Sequence, residues 1–369
     1  MSQPRARSTL ALHLVVLALL CGAPGAFAKA KPASATTKPI PRNLQPDEPP
    51  DLVTYGRRDD VMRFGAELAE RQGLDAAWVL TALQGARFVP GVAKAIMPPP
   101  AGTAKNWAAY RARFVEPMRI RAGVAFWHAN QKWLTLAEER YGVPPEIVVG
   151  IIGVETIWGQ RMGGFRIIDA LATLAFDFPA GRKDRSAFFR DELESFFVLC
   201  HAESTDPLLP KGSFAGAMGM PQFMPSSWLK YAVDFDGDGR IDLRNSSADV
   251  IGSVAHYLAE FGWIRGAQTR FAISAPGDVT EKALLLVPDI LPTFTAKDLG
   301  EHGAILDPAG AAYPGKLALV ELQNGAAANS YVAGTENFYA ITRYNWSAYY
   351  ALAVIELGES VRAIVKMSP

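Results

Sequence analysis

The chain of 369 residues has only two cysteines, Cys21 and Cys200, too few for a disulfide framework. It has no charge excess. Its 37 Lys+Arg are balanced by 37 Asp+Glu, so the basic surplus of a protein that grips a nucleic-acid backbone is missing, and no nucleic-acid partner is expected. Beyond the amino end it has no run approaching ~18 uninterrupted apolar residues, which predicts no membrane-spanning helix in the mature chain. No Walker loop or dinucleotide fingerprint occurs. His13, His128, His201, His256 and His302 fall at no metal-ligand spacing with one another or with cysteine. Ser213 lacks the G-x-S-x-G setting of a serine-hydrolase elbow. What remains is a composition 49% hydrophobic and 20% charged, which fits a soluble enzyme and excludes wholesale disorder. At roughly 100–200 residues per domain there is room for two or three packed units.

The amino end reads as a secretory signal over residues 1–28. Arg5 and Arg7 precede an apolar run from Leu10 to Leu20, and Ala26-Phe27-Ala28 supplies a small-x-small cleavage site. A lipoprotein signal using Cys21 is the rival reading, disfavoured by Leu20, which sits where such signals want a small residue. Cleavage after Ala28 would leave Cys200 without a partner. Residues 29–50 carry Pro32, Pro39, Pro41, Pro46, Pro49 and Pro50 among Lys, Ala, Thr and Ser, the texture of an extended tether.

The body reads as mainly α, in the α+β class, with a small β-rich insert. Val61, Phe64 and Leu68 mark one helix face. Phe126, Asn130, Leu134 and Ala137 mark another, on a helix ending near Tyr141-Gly142. Pro144-Pro145 then opens a helix that runs from Ile147 towards Gly159 and is apolar all round, hence buried all round. Further helices are expected at 186–202, 247–261 and 347–362. Between 270 and 343 the texture changes, and Leu317–Leu322, Tyr331–Ala333 and Phe338–Thr342 read as short strands. The expected units are a helical domain over 51–142, joined by the C-terminal helix 347–369, a core over 143–265 and a β-rich domain with a groove-lining segment over 266–346.

Three constellations carry chemistry. Glu155 is the only ionisable residue between Glu146 and Arg161. Burial in such company raises a carboxyl pKa, and a carboxylic acid kept protonated near neutrality suits general-acid attack on a glycosidic oxygen. The plainer alternative is that Glu155 lies at a helix end and simply reaches water. The segment from Gly212 to Trp228 combines small residues with Gln222 and aromatics, fitting a sugar's apolar faces and hydroxyl edges. Its alternative is a tight helix-packing loop. Asp234, Asp236 and Asp238 occupy positions 1, 3 and 5 of an EF-hand-like loop, with Gly239 at 6 and Arg240 offering its carbonyl at 7. Position 12 is Asn245 rather than Glu, and Asp249 is the expected closing carboxylate of a longer loop. The alternative is an Asp/Gly-rich surface turn. Asp169 reads as a helix cap or ion-pair partner, not a second catalytic group.

Taken together and in order, these motifs resemble the membrane-bound lytic murein transglycosylase B family, lysozyme-like enzymes of Gram-negative bacteria. The resemblance spans residues 55 to 362. It rests on Gly153-Val154-Glu155-Thr156 with Gly159, Asp169-Ala170-Leu171-Ala172-Thr173-Leu174, Gly216-Ala217-Met218-Gly219, Pro221-Gln222-Phe223-Met224-Pro225-Ser226-Ser227, the Asp-rich loop, Ile251-Gly252-Ser253-Val254-Ala255, and Tyr344-Asn345 with Ser347. It implies a lysozyme-like helical core, Glu155 as sole catalytic acid/base, and a glycan groove lined by Ser213, Gln222, Tyr257, Tyr344, Asn345 and Tyr350, with Phe188 where the family often places an aromatic. It also implies calcium held by Asp234, Asp236, Asp238, Arg240 and Asp249, peptidoglycan glycan strands as partner, and residence in the periplasm. Residues 180–187 look longer than the family pattern, so Arg182, Lys183 and Arg185 have no one-to-one match. The implied reaction cleaves the bond between N-acetylmuramic acid and N-acetylglucosamine and leaves a 1,6-anhydro end. A water-using muramidase and a non-catalytic, calcium-stabilised wall-binding protein are the alternatives.

Overall fold

The apolar helix at the centre of the sequence is also the centre of the fold. In the computed structural model, which describes residues 54–98 and 105–367, it spans Pro145–Thr156. Only Pro145, Glu146 and Glu155 of its residues escape full burial. The expected signal peptide, Cys21 and the tether at 29–50 lie outside the described residues.

Two long helices cover this core helix. Pro117–Tyr141 starts with proline at its first position, and Glu116 accepts hydrogen bonds from the backbone N–H groups of Met118 and Arg119. It ends at Gly142, whose φ of 74° is the left-handed stop that glycine adopts without strain. Asn130 leaves helical geometry inside it and donates its side-chain amide to the Phe126 carbonyl, a local bond that competes with the helix ladder. The C-terminal helix Ala348–Met367 packs against both of these helices, meeting the core helix almost backbone to backbone at Gly150 and Gly358. Asp59–Gln72 begins with Asp59 and Asp60 against the positive helix end and buries Val61 and Leu68. Ile167–Phe176 packs on Ser186–Ala202, which in turn packs on Pro225–Tyr231, while Ser247–Glu260 lies on Pro117–Tyr141. One continuous cluster of buried side chains runs through all of these helices, from Tyr55 to Val361.

A four-stranded antiparallel sheet sits on this helical body, in the order Ile305–Leu306, Arg270–Ser274, Ala327–Gly334, Ala318–Asn324. It has a separate small core of Phe271, Leu285, Leu299, Leu317, Leu319 and Ala333. The expected strand Tyr331–Ala333 falls within Ala327–Gly334, and Leu317–Leu322 matches Ala318–Asn324 except at Leu317, which instead bridges Phe294. The expected strand Phe338–Thr342 is instead part of a helix, Glu336–Thr342. Thr335 decides this: its hydroxyl accepts from the N–H groups of Asn337 and Phe338, a helix cap that a short apolar run does not reveal by period alone. The region is mixed rather than purely β, with helices Val279–Leu286, Ala296–Glu301 and Pro308–Ala311 between its strands.

Candidate active site

Glu155 stands in the last turn of the core helix, and the chain leaves that helix abruptly. Ile157 and Trp158 both take left-handed backbone, with φ of 53° and 50°. Each such L-residue costs roughly 1–2 kcal/mol, offset here by burying Ile157 and packing the Trp158 ring against Gly123 and Gly153. Arg119 donates from Nη1 to the Gly153 carbonyl at 2.7 Å, satisfying a carbonyl of the final turn and placing a cation at the negative helix end.

The helix end does not release Glu155 into open water. Its side chain is half-buried, and its carboxyl oxygen Oε1 accepts from the Tyr350 hydroxyl at 2.6 Å. Burial pushes the carboxyl up to about 8, and the Tyr350 hydrogen bond, which favours the ionised form, opposes that rise only in part. The residue keeps some exposed surface, while the carboxyl itself is hemmed in by protein. Among the described residues no cation pairs with it and no second carboxylate shifts it.

Tyrosines form the wall. Tyr344 and Tyr350 stack with centroids 6.3 Å apart and planes 14° apart, and Tyr257 lies 4.9 Å from Tyr344. Phe223 touches both Tyr257 and Tyr344. The hydroxyls of Tyr257 and Tyr344 donate to the carbonyls of Arg343 and Pro221, at 2.7 and 2.5 Å, so these rings are fixed in place. Burial and the Glu155 charge hold the hydroxyls of Tyr257, Tyr344 and Tyr350 protonated well above the usual tyrosine range.

Gln222 enters from the glycine-rich segment with φ of 52°. Its amide nitrogen donates to the carbonyls of Gly219 and Met162, at 2.9 and 3.2 Å, which orients the side chain and leaves the carbonyl oxygen for a ligand. Ser213 Oγ accepts from the N–H groups of Ala217 and Ala215, at 3.0 and 3.3 Å, shaping the turn and leaving its proton to donate. Asn345 is buried beside Tyr344. Phe188 stands apart from this group. It lies edge-on to Phe189 and under the Arg185 guanidinium, and no ring contact or hydrogen bond joins it to the tyrosine cluster.

Sequence reasoning missed Tyr110. Burial first, then the charge of Glu155, raises its hydroxyl above the ordinary range, which places it near the acid. It sits in the short helix Trp107–Arg111, stacked on Trp107 and edge-on to Tyr349. Nothing in its local sequence pattern signals this, because tertiary packing alone brings it there.

In the acidic loop, carboxylate oxygens of Asp234, Asp236 and Asp249 all come within 4.8 Å of one another. Asp249 is buried and accepts from the N–H groups of Phe235 and Asp242, both at 2.8 Å. Asp238 is outside this trio and accepts from the N–H of Arg240. Gly237 and Gly239, at φ of 76° and 88°, make the tight turns. Burial and the negative charges of Asp236 and Asp234 push the Asp249 carboxyl up. Hard oxygens gathered at this spacing fit a divalent cation such as calcium. Asp169 is structural: it pairs with Arg166 at 2.7 Å and accepts from the N–H of Arg87.

Known proteins share this sequence and fold. Residues 56–359 match the model of the transglycosylase SLT domain family. The chain is 39% identical over 317 residues to membrane-bound lytic murein transglycosylase B of Escherichia coli (strain K12), covering 83% of this chain and 84% of that protein. The structure of soluble lytic transglycosylase SltB1 from Pseudomonas aeruginosa superposes with a TM-score of 0.75 at 38% identity, covering 83% of this chain and 99% of that one. The Escherichia coli lytic transglycosylase Slt35 in complex with calcium superposes with a TM-score of 0.74 at 37% identity, covering 88% of this chain and all of that one. Among the described residues no helix is long and apolar enough to cross a membrane. The lysozyme-like helical body and these matches establish that the chain belongs to the lytic transglycosylases of the SLT-domain family.

Proposed function

We propose that this chain cleaves the β-1,4 bond between N-acetylmuramic acid and N-acetylglucosamine in peptidoglycan, with Glu155 as its only acid and base. The observation that carries this reading is the solitary Glu155 carboxyl, held protonated up to about pH 8 beside Tyr350. Ordinary glycosidases divide the work between two carboxylates. A single group suffices if the proton it gives away comes back from the substrate. Glu155 protonates the glycosidic oxygen, the bond from C1 to that oxygen breaks, and the substrate's N-acetyl group stabilises the positive charge at C1. The carboxylate of Glu155 then takes the proton of the sugar's 6-hydroxyl as O6 bonds to C1. A 1,6-anhydro end forms, the acid is regenerated and no water is consumed. Using an internal hydroxyl removes the entropy of capturing a separate nucleophile.

Tyr257, Tyr344 and Tyr350 offer faces and edges for the sugars, and Ser213, Gln222 and Asn345 offer polar contacts. Phe188 is assigned to a more distant part of the same groove. Mass spectrometry of digested sacculi tests the reaction: anhydro ends are lighter than reducing ends by one water. Products ending only in reducing sugars would make the enzyme a water-using muramidase. The pH profile tests the acid. Removing the Tyr350 hydroxyl deletes a hydrogen bond that favours the ionised carboxyl, so Tyr350→Phe is expected to move the alkaline limb of the rate profile upward in pH. A limb that stays put, or moves down, contradicts the assigned contact.

The acidic loop is assigned to calcium, held by Asp234, Asp236 and Asp249, with Asp238 and the Arg240 carbonyl completing the set. When bound, the cation neutralises a cluster of carboxylates that otherwise repel one another. Asp236 is the exposed member, so Asp236→Asn removes a ligand charge with little loss of packing. Calcium is expected to raise the melting temperature of the wild type in a concentration-dependent way, and to raise that of Asp236→Asn much less. Equal shifts would remove Asp236 from the site. The basic, apolar and small-residue pattern of residues 1–28 supports a periplasmic location.

A further inference from the structure

One hydroxyl bridges the end of the core helix to the segment that carries Gln222. Thr156, next to Glu155, is fully buried. Its Oγ donates to the Met220 carbonyl at 2.8 Å and accepts from the N–H of Gly159 at 3.0 Å; the alternative acceptor within its own helix, the Ile152 carbonyl, is farther at 3.4 Å. One side chain therefore ties the acid's helix, the left-handed turn that ends it, and the segment carrying Gln222.

That segment is anchored again from the opposite side. The N–H of Met220 donates to the Leu243 carbonyl at 2.8 Å. Leu243 follows Asp242, whose N–H donates to Asp249. An unbroken line thus runs from the Asp249 carboxylate through Asp242, Leu243 and Met220 to Thr156 and Glu155. It has little slack: a Cβ placed on Gly219 would come 2.6 Å from the Leu243 carbonyl oxygen. Closely packed interiors pass displacements on rather than absorb them.

We propose that Thr156 is a positioning residue, through which the acidic loop fixes Glu155 against the Gln222 segment, so that cation binding at the loop is felt at the acid. This rests on the readings of Glu155 and of the loop given above. When the carboxylates of Asp234, Asp236 and Asp249 lack a cation they repel one another, and Asp249 carries Asp242 and Leu243 with it. Met220 follows its acceptor, and Thr156 follows Met220.

Amide hydrogen exchange, resolved to single residues in the wild-type protein, tests this without relying on turnover. Adding calcium to chelator-treated protein is expected to slow exchange at Phe235 and Asp242, and also at Met220 and Gly159. In Thr156→Val the Met220 amide still responds to calcium and the Gly159 amide does not. With a soluble peptidoglycan fragment as substrate, Thr156→Val should lower kcat about 10–100-fold with KM nearly unchanged, and Thr156→Ser should restore it. Slowing at Phe235 and Asp242 alone would overturn the coupling, as would a loss confined to KM or a failure of Thr156→Ser to rescue. No response even at Phe235 and Asp242 would overturn the cation assignment and the coupling with it, while leaving the assignment of Glu155 standing.

Discussion

Glu155→Gln is expected to abolish cleavage of sacculi while the protein folds and binds glycan as before. The two side chains have the same shape, and the Tyr350 hydroxyl can donate to an amide oxygen as it does to the carboxyl. What disappears is the transferable proton. General acid–base catalysis contributes about 10²–10⁴-fold, and with no second carboxylate acting on Glu155 the loss should reach at least the upper part of that range. Stability should change in a pH-dependent direction. The folded state raises this carboxyl from 4.5 to about 8, so folding holds the proton more tightly than the unfolded chain does. Its contribution to stability is fully present below pH 4.5 and is lost as the pH rises through about 8, where burying the charge becomes costly. Glutamine does not ionise. The melting temperature of Glu155→Gln should therefore gain on that of the wild type between these limits and exceed it on the alkaline side. Turnover like the wild type's would remove Glu155 from its role, and parallel melting curves across pH would mean that its carboxyl is not buried as described.

How far the site could be read in advance follows from which interactions are local. The helix bearing Glu155 was legible because Pro145 starts it and every following residue up to Val154 is apolar or glycine, apart from Glu146. The acidic loop was legible in part, because its carboxylates are spaced by the geometry of one turn: Asp249 does join Asp234 and Asp236, while Asp238 stays outside the cluster. The tyrosine wall was identified through a family resemblance, since Tyr257 and Tyr344 are far apart in the chain and no period links them. Tyr110 escaped because only the packing of its short helix brings it near the acid. The double role of Thr156 escaped because its partner, the Met220 carbonyl, lies 64 residues away. Phe338 to Thr342 misled because five mostly apolar residues suit a strand or a helix equally, and the Thr335 cap, outside the run, decided between them.

The other large effect should come from a residue that touches no substrate. A Cβ on Gly358 would sit 1.9 Å from the Glu146 carbonyl oxygen, and one on Gly150 would sit 2.2 Å from that of Val354. Both obstacles are backbone, so no side chain can turn aside. Alanine favours a helix over glycine by about 1 kcal/mol, but overpacking of this kind costs about 1–3 kcal/mol and occasionally more. With contacts this short the clash should dominate, and Gly358→Ala should lose about 3 kcal/mol or more. The damage has a direction. Gly358 shares its helix with Tyr350, and Gly150 shares its helix with Glu155. Whatever pushes these two helices apart lengthens the 2.6 Å bond between hydroxyl and carboxyl, so cleavage should fall about 10–100-fold even below the melting transition. Gly300 provides the control: it too lies in a helix, Ala296–Glu301, but a Cβ there meets nothing within 4 Å, and Gly300→Ala should be neutral or slightly stabilising. Thermal melting and sacculus digestion of the two variants side by side separate helix propensity from helix contact. If Gly358→Ala melts and cleaves like Gly300→Ala, the two helices are not held as closely as described, and the alignment of Tyr350 on Glu155 needs another cause.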